Sequence, residues 1–306
     1  MPLLHRLRPR RRLTSPERPP APTSLTLPMR ALFLFLSLLA AASLHANPAA
    51  HKGTGLSVEL IAESTSISPG KPFSVGLLIH HDRGYHTYWK NPGLAGVATN
   101  LNWSLPRGFK AGPIQWPAPE KVKMAAINTH GFESDTLLIV EITPPKNLRS
   151  SEITLRTKAS WMCCFRSCAP GFCDLALTLP VAPAPSPGPN ADLFTKARSL
   201  HPLPASGWQF SALRSGNTIT LSGHPLTPTL KIPAHPQFFS ADNLICSHPD
   251  QLWSSSDGSF KAVLTISEMP PKNQSVLRGT LTADSGWLGS KSSKAIDIAV
   301  PVTPAP

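Results

Sequence analysis

The sequence contains few aromatic residues, 7% of the chain, and long helical periodicities are hard to find in it. After residue 46 it has no apolar run that approaches the roughly 20 residues of a transmembrane helix. It also lacks a Gly-x-Ser-x-Gly elbow, a phosphate-cradling glycine loop and a credible pair of catalytic carboxylates. These absences leave hydrolase, kinase and glycosidase interpretations without support.

Positive charge is concentrated at the N-terminus. The first 30 residues carry seven arginines and one glutamate, which is +6 of the net charge of +12. The remaining sequence has no cluster of lysine or arginine of the kind that marks a nucleic-acid-binding surface. We therefore expect no nucleic-acid partner, and we interpret the remaining charge as solubilising.

Residues 1–46 form an arginine-rich leader followed by the pattern of a secretory signal peptide. A positive Arg30 precedes an apolar run, and small residues lead to Ala46, after which cleavage is expected. Two interpretations of the leader stay open: a functional extended n-region translated from Met1, or a true start at Met29. Either predicts a protein of about 260 residues that is exported, periplasmic and soluble, without stable membrane insertion.

Short segments of alternating polar and apolar residues fill the exported part, and each ends at Pro, Gly or Asn. This pattern predicts an all-β protein built from antiparallel strands. We expect two immunoglobulin-like antiparallel β-sandwiches, at residues 52–182 and 206–303. The Pro/Ala-rich residues 183–205 between them are predicted to be a semi-rigid extended linker.

Four of the five cysteines lie within eleven positions, at Cys163, Cys164, Cys168 and Cys173. A zinc site favours two-residue spacers, whereas the gaps here are zero, three and four residues. Copper(I), which prefers thiolates, is less easily excluded. A purely structural disulfide is a second interpretation, although closing so short a loop stabilises a fold by only about 2 kcal/mol.

A redox-active pair is the third interpretation. Alternation along the strand that ends the stretch "ITLRTKASWMCC" predicts that Cys163 faces the core and Cys164 faces solvent. The nearest exposed partner for Cys164 is Cys168, and Arg166 and Lys158 supply positive charge that favours a thiolate. An exposed, short and electropositive pair is typical of an exchangeable disulfide.

Several motifs together resemble one protein family. The pattern W-x-x-C-x-x-x-C-x-P closes a predicted sandwich strand, and the segments "YHTYWKNPG", "GPIQWPAPE" and "HGFESDTLLIVEI" accompany it. With these motifs the chain resembles the N-terminal periplasmic domain of the DsbD/ScsB thiol:disulfide interchange family. The second predicted domain, with "GTLTADSGW" and "AIDIAVPV", is similar to the second sandwich of the ScsB-like branch.

The resemblance implies a redox function for the cysteines. It implies that Cys164 and Cys168 are the exchanging pair and that the chain is a component of protein-disulfide reduction without a cofactor or metal. Electrons would come from the thioredoxin-like domain of a membrane electron carrier and pass to a periplasmic disulfide isomerase or another thioredoxin-fold protein. Cytochrome c assembly and copper tolerance are the processes that this family implies.

The sequence departs from the family in three respects. Full-length members continue into a membrane domain and a thioredoxin domain, and neither is found before Pro306. The additional cysteines make Cys168 with Cys173 an alternative exchanging pair. The aromatic cap that shields the disulfide in the DsbD branch is not evident, and His130 or Phe132 are the candidates for that role.

Other notable residues have both functional and structural interpretations. His86, Tyr88 and Trp89 either line the cysteines or fill the core at a strand end, with a turn following them. Cys246 is predicted to be a buried thiol beside Leu244. The alternative to electron relay is a non-catalytic module that docks partners or binds copper through the cysteine cluster.

Overall fold

A computed structural model describes residues 49–289 and 294–305, so the predicted leader and signal peptide lie outside the described residues. These residues form nineteen strands and one helix, which confirms the all-β prediction. No helix among them is both long and apolar enough to cross a membrane. The predicted domain boundaries stay predictions, because the chain from residue 47 onward clusters as one compact unit.

Eleven strands precede the helix and build what we call the first sandwich. They are β1 (Ala50–Gly53), β2 (Leu56–Ala62), β3 (Phe73–His81), β4 (Thr87–Gly93), β5 (Asn100–Ser104), β6 (Lys110–Gln115), β7 (Glu120–Met124), β8 (Ile127–Phe132), β9 (Thr136–Thr143), β10 (Glu152–Cys164) and β11 (Cys168–Pro180). Their alternating apolar residues allow each strand to bury one side, which is why they pair as sheets rather than form helices.

Three antiparallel sheets arise from these strands. One has the order β1-β2-β3-β9-β6, and a second has the order β11-β10-β5. Side chains from both sheets, such as Leu60, Leu77 and Leu155, share one buried core, so the two sheets pack face to face as a sandwich. The third sheet has the order β4-β8-β7 and is not hydrogen-bonded into either of the other two. Its strand β4 also approaches the end of β10, where the cysteines lie.

The segment between the sandwiches contains the helix α1 (Ala191–Ser199). Phe194 is fully buried against the outer face of the first sandwich, where Ile61 and Ile139 contact it. The prediction of an extended linker over 183–205 is therefore wrong for these nine residues. The prolines of the segment lie on either side of α1, the last before it being Pro189 and the first after it Pro202, so the helix interior contains no residue that would break it.

An ion pair also holds α1 against the first sandwich. Arg198 places Nη1 and Nη2 each 2.6 Å from a carboxylate oxygen of Glu63, and this hydrogen bonding is the main reason why the pKa of Glu63 is lowered. A carboxyl group with a lowered pKa in the folded state contributes stability above its unfolded-state pKa. It loses that contribution as the pH falls through the folded-state pKa.

We expect Glu63→Gln to lower the free energy of unfolding by at most about 1 kcal/mol near neutral pH, because the pair is partly exposed. At an acidic pH below the lowered folded-state pKa of Glu63 the difference from the unsubstituted protein should shrink, since Glu63 is then protonated in both folded and unfolded chains. Urea denaturation at the two pH values measures both differences. Glu59→Gln, exposed on β2, is the matched control, and a gap that does not depend on pH would contradict the assignment.

Eight further strands build the second sandwich. They are β12 (Leu203–Pro204), β13 (Trp208–Ser215), β14 (Thr218–Pro225), β15 (Gln237–Ser240), β16 (Leu252–Ser256), β17 (Ser259–Thr265), β18 (Val276–Thr282) and β19 (Ala295–Pro304). One half consists of β15 and β18, and the other of β13, β14, β17 and β16. Strand β19 connects the two halves: it pairs with β18 over 295–301 and then in parallel with β13 over 302–304. Both halves bury side chains in one core, around Trp208, Phe260 and Trp287.

The two sandwiches contact each other through a small apolar cluster. Trp89 and Phe132 of the first sandwich pack against Phe239 of the second, and all three are buried. Around the cluster, Lys121 Nζ lies 3.5 Å from Asp250 Oδ1. The contact therefore combines a dry centre with a polar rim, and β4 and β8 carry the first sandwich's part of it.

Candidate functional site

The cysteines lie at the closed end of a long hairpin. Strands β10 and β11 pair without interruption from Glu152 opposite Pro180 to Cys164 opposite Cys168. Only residues 165–167 connect the two strands. Because residues directly opposite each other in an antiparallel pair bring their Cβ atoms close together, the hairpin presents Cys164 to Cys168.

A disulfide joins these two residues. The sulfur atoms of Cys164 and Cys168 are 2.02 Å apart and the Cα atoms 4.1 Å apart. The alternative pairing of Cys168 with Cys173 does not occur, and Cys173 is a free thiol opposite Ala159. Successive side chains of a strand point to opposite faces, so Cys168 and Cys173 project from different faces of β11.

The two sulfurs of the disulfide have very different environments. Cys168 is exposed, whereas Cys164 is 0% exposed. The predicted solvent-facing position of Cys164 is therefore wrong. The backbone of His86 pairs with the edge of β10 at this point, and its N–H and C=O each form a 3.0 Å hydrogen bond with the backbone of Cys164. The disulfide therefore joins an exposed cysteine to a buried one.

Tyr88 completes the shield. Its hydroxyl donates a hydrogen bond to Cys164 Sγ at 3.0 Å and lies 3.9 Å from Cys168 Sγ. On the other side, His86 Nε2 lies 3.3 Å from the same oxygen. Burial raises the pKa of Tyr88 and lowers that of His86, so the phenol stays protonated and the imidazole stays neutral near pH 7. Tyr88 thus keeps the proton that it donates to the buried sulfur.

The proposed caps His130 and Phe132 do not lie at the disulfide. Phe132 belongs to the cluster between the sandwiches, and the ring of His130 packs edge-on against Phe239 with centroids 5.0 Å apart. The segment "HTYW" (86–89) both lines the cysteines and fills a buried cluster, because successive side chains of the strand point to opposite faces. His86 and Tyr88 face the disulfide, whereas Trp89 fills the cluster between the sandwiches.

The other cysteines are free thiols in less reactive surroundings. Burial raises the pKa of Cys163 and of Cys173 to about 11 in each case, so both are protonated near neutral pH. Cys163 lies in the core, 1% exposed. Cys246, which was predicted to be buried, is only half-buried. No three His, Cys, Asp or Glu side chains in the described part of the chain are grouped so that they could hold a metal ion.

The surface beside the exposed sulfur is apolar with a positive rim. Phe165 in the connecting turn is 45% exposed, and Phe172 on the same face of β11 as Cys168 is 67% exposed. Arg166 lies 5.5 Å from the ring centre of Phe165, and Lys158 lies 5.6 Å from that of Phe172. Exposed aromatic side chains beside a reactive group are typical of protein interaction sites.

Comparison with known proteins gives a family-model match over part of the chain and a likeness in fold. The family model of the N-terminal region of the thiol:disulfide interchange protein DsbD matches residues 57–180. Among solved structures, the N-terminal periplasmic domain of ScsB from Proteus mirabilis is similar, with a TM-score of 0.61 at 15% identity over 84% of this chain and 99% of that chain. This likeness shows the immunoglobulin-like fold.

A second solved structure aligns less well. A conserved domain protein from Bacillus anthracis aligns at 10% identity over 82% of this chain and 89% of that chain, with a TM-score of 0.25. A TM-score that low supports no inference. No curated protein matches the sequence.

Proposed function

We propose that this chain relays electrons in the periplasm by dithiol–disulfide exchange through Cys164 and Cys168, and the match of residues 57–180 to the family model of the DsbD N-terminal region supports this proposal. One observation carries the proposal: the disulfide at the end of the β10–β11 hairpin joins an exposed cysteine, Cys168, to a fully buried one, Cys164. A structural disulfide has no need of this asymmetry. An exchanging disulfide uses it, because it determines which sulfur a partner attacks.

Reduction of the chain follows from this geometry. A thiolate of the donor attacks the exposed Cys168 Sγ, the bond to Cys164 breaks, and Cys164 leaves as a thiolate. The hydroxyl of Tyr88 already donates to Cys164 Sγ and stabilises that charge. The second donor thiolate then attacks its own neighbour in the mixed disulfide and releases Cys168. Two electrons have moved: the donor is a disulfide and the chain a dithiol.

The reduced chain repeats the exchange in the opposite role. Cys168 attacks the disulfide of an acceptor, and Cys164 resolves the mixed disulfide that forms. We propose the thioredoxin-like domain of a membrane electron carrier as the donor, and a periplasmic disulfide isomerase or another thioredoxin-fold protein as the acceptor. Cytochrome c assembly and copper tolerance are the proposed settings. The exposed rings of Phe165 and Phe172 offer the partner an apolar contact beside the reactive sulfur.

A redox titration tests the proposal. The purified protein is equilibrated in glutathione buffers, alkylated and mapped by peptide mass. We expect Cys164 and Cys168 alone to change state, with a midpoint above about −300 mV, because structural disulfides in exported proteins lie below that value. A thioredoxin-like dithiol domain should then reduce the pair through a mixed disulfide at Cys168.

Cys173→Ala is the matched control. It removes a nearby thiol from the same strand, on the face opposite Cys168, and should leave the midpoint unchanged. If the pair stays oxidised in every buffer, the disulfide is structural and the proposed exchange is wrong. Cysteines that bind copper with thiolate absorption, lost on Cys164→Ser, would support the copper-binding module instead.

A further inference from the structure

Strand β4 connects the disulfide with the second sandwich. On one face, Tyr88 donates its hydrogen bond to Cys164 Sγ. On the opposite face the next residue, Trp89, is 1% exposed and packs in the cluster with Phe239 of the second sandwich. Because adjacent residues of a strand point in opposite directions, one piece of backbone fixes both side chains. Movement of Trp89 must therefore move Tyr88.

Further along β4, hydrogen bonds attach the strand to the second sandwich. Asn91 Nδ2 donates to the backbone oxygen of Ser240 at 2.8 Å and also to that of Asp242. The backbone oxygen of Asn91 lies 3.0 Å from Nδ1 of the buried His130. The two bonds of Asn91 Nδ2 join residues 149 and 151 positions apart in sequence, and with the contact to His130 they restrain the end of β4 from both sides.

The loop after β4 provides a second connection. Gly93 has a φ of 86°, and a Cβ there would lie 2.2 Å from Ser247 Oγ, so Ser247 fills the space that a side chain would need. The same hydroxyl accepts a 3.1 Å hydrogen bond from Leu94 N and donates a 2.9 Å bond to Asn128 O. Ser247 is 8% exposed, so these bonds are shielded from water.

Three residues later the same loop contacts the ring of Tyr88. Gly96 has a φ of 107°, and a Cβ there would lie 2.2 Å from the ring. The backbone of the loop is therefore the surface on which the ring lies. Since Ser247 holds the start of this loop and Gly96 supports the ring, the second sandwich reaches Tyr88 by two routes.

We propose that the second sandwich is a positioning element of the redox centre, in which Ser247 and Phe239 hold β4 and its following loop so that Tyr88 Oη stays on Cys164 Sγ. The inference rests on the proposed exchange function and assigns to the second sandwich a part in it. Ser247 and Phe239 act through Tyr88 and touch neither sulfur. A merely structural role would make them matter for stability alone.

The chain offers a direct probe of this position, because Tyr85 and Tyr88 are its only tyrosines. In a Tyr85→Phe background, ¹³Cζ-tyrosine labelling gives a single resonance that reports the hydrogen bond of Tyr88. We expect Ser247→Ala and Phe239→Leu to shift this resonance. Ser255→Ala, exposed on the edge strand β16, is the matched control and should not shift it. If Phe239→Leu does not fold, Ser247→Ala carries the test.

Exchange kinetics complete the test. We expect Ser247→Ala to slow reduction by a thioredoxin-like dithiol by about three- to ten-fold, a part of the effect of a hydrogen bond to a charged group. In a Tyr88→Phe background Ser247→Ala should have no effect on the rate, because the hydroxyl that Ser247 positions is absent. An equal slowing in both backgrounds, or an unshifted resonance, would overturn the inference.

The two proposals fail in different ways. If the unsubstituted protein does not exchange with any dithiol donor, the proposed function fails, whatever the variants do. The resonance still decides the positioning inference in that case, because it reports the contact between Tyr88 and Cys164 without turnover. A shift on Ser247→Ala supports the inference, and no shift overturns it.

Discussion

The Cys164→Ser protein is expected to accumulate a stable mixed disulfide with a thioredoxin-like partner, whereas the Cys168→Ser protein forms almost none. In the first variant the exposed Cys168 remains available for the partner, and no neighbouring thiol resolves the adduct. In the second the remaining thiol is 0% exposed beneath His86 and Tyr88. Its attack on the partner's disulfide requires local opening, which should lower the rate by at least about 100-fold.

Incubation with the partner in its activated disulfide form, followed by non-reducing gels and mass mapping, measures the two adducts. Both variants carry Cys173→Ala and Cys246→Ala, because these half-buried thiols would otherwise compete. Cys163 needs no such replacement, since burial raises its pKa to about 11 and it is 1% exposed. Equal adduct yields from the two variants would contradict the proposed order of attack.

The error over Cys164 shows what strand alternation can predict. Alternation along β10 places Cys163 and Cys164 on opposite faces, and the structure has them so, with Cys163 in the core. It does not show what covers the outer face. The cover comes from Tyr88, 76 positions away, and such a contact leaves no periodic signal in the strand that it covers.

The helix α1 was missed for a different reason. Residues 183–189 are rich in proline, and composition extended that property to the whole segment. Local signals of a helix were present nevertheless: Asp192 lies in the first turn, Lys196 and Arg198 lie in the last, and Phe194 and Ala197 share one face. Reading that window by itself would have predicted the helix.

The contact between the sandwiches cannot be predicted from the sequence pattern of any single segment. Trp89, Phe132 and Phe239 each occur in an ordinary strand pattern, and nothing local distinguishes them from core residues of their own sandwich. The sequence therefore allowed the fold class and the cysteine motif to be predicted. It did not reveal that β4 serves both the disulfide and the contact, because that depends on how the two sandwiches pack.

Tyr88→Phe is expected to slow disulfide exchange by about 10- to 100-fold with little loss of packing. The substitution keeps the ring against Gly96 and removes only the hydroxyl that donates to Cys164 Sγ. Hydrogen bonds to charged groups contribute roughly 1.5–3 kcal/mol, and the charge on Cys164 develops as the disulfide breaks. Stopped-flow reduction by a thioredoxin-like dithiol measures the rate.

The pH dependence separates this role from a packing effect. Without the donor the thiolate of Cys164 loses a stabilising bond, so its pKa rises and the rate–pH profile for resolution of the mixed disulfide by Cys164 moves to higher pH. Tyr85→Phe is the matched control, because Tyr85 lies three residues before Tyr88 and its ring packs on Phe165. The hydroxyl that this substitution removes is not the one that contacts the sulfurs, which belongs to Tyr88. If the two variants slowed exchange equally, the hydroxyl of Tyr88 would have no particular role. If only Tyr88→Phe does so, the shield over Cys164 is also the group that makes it a leaving thiolate.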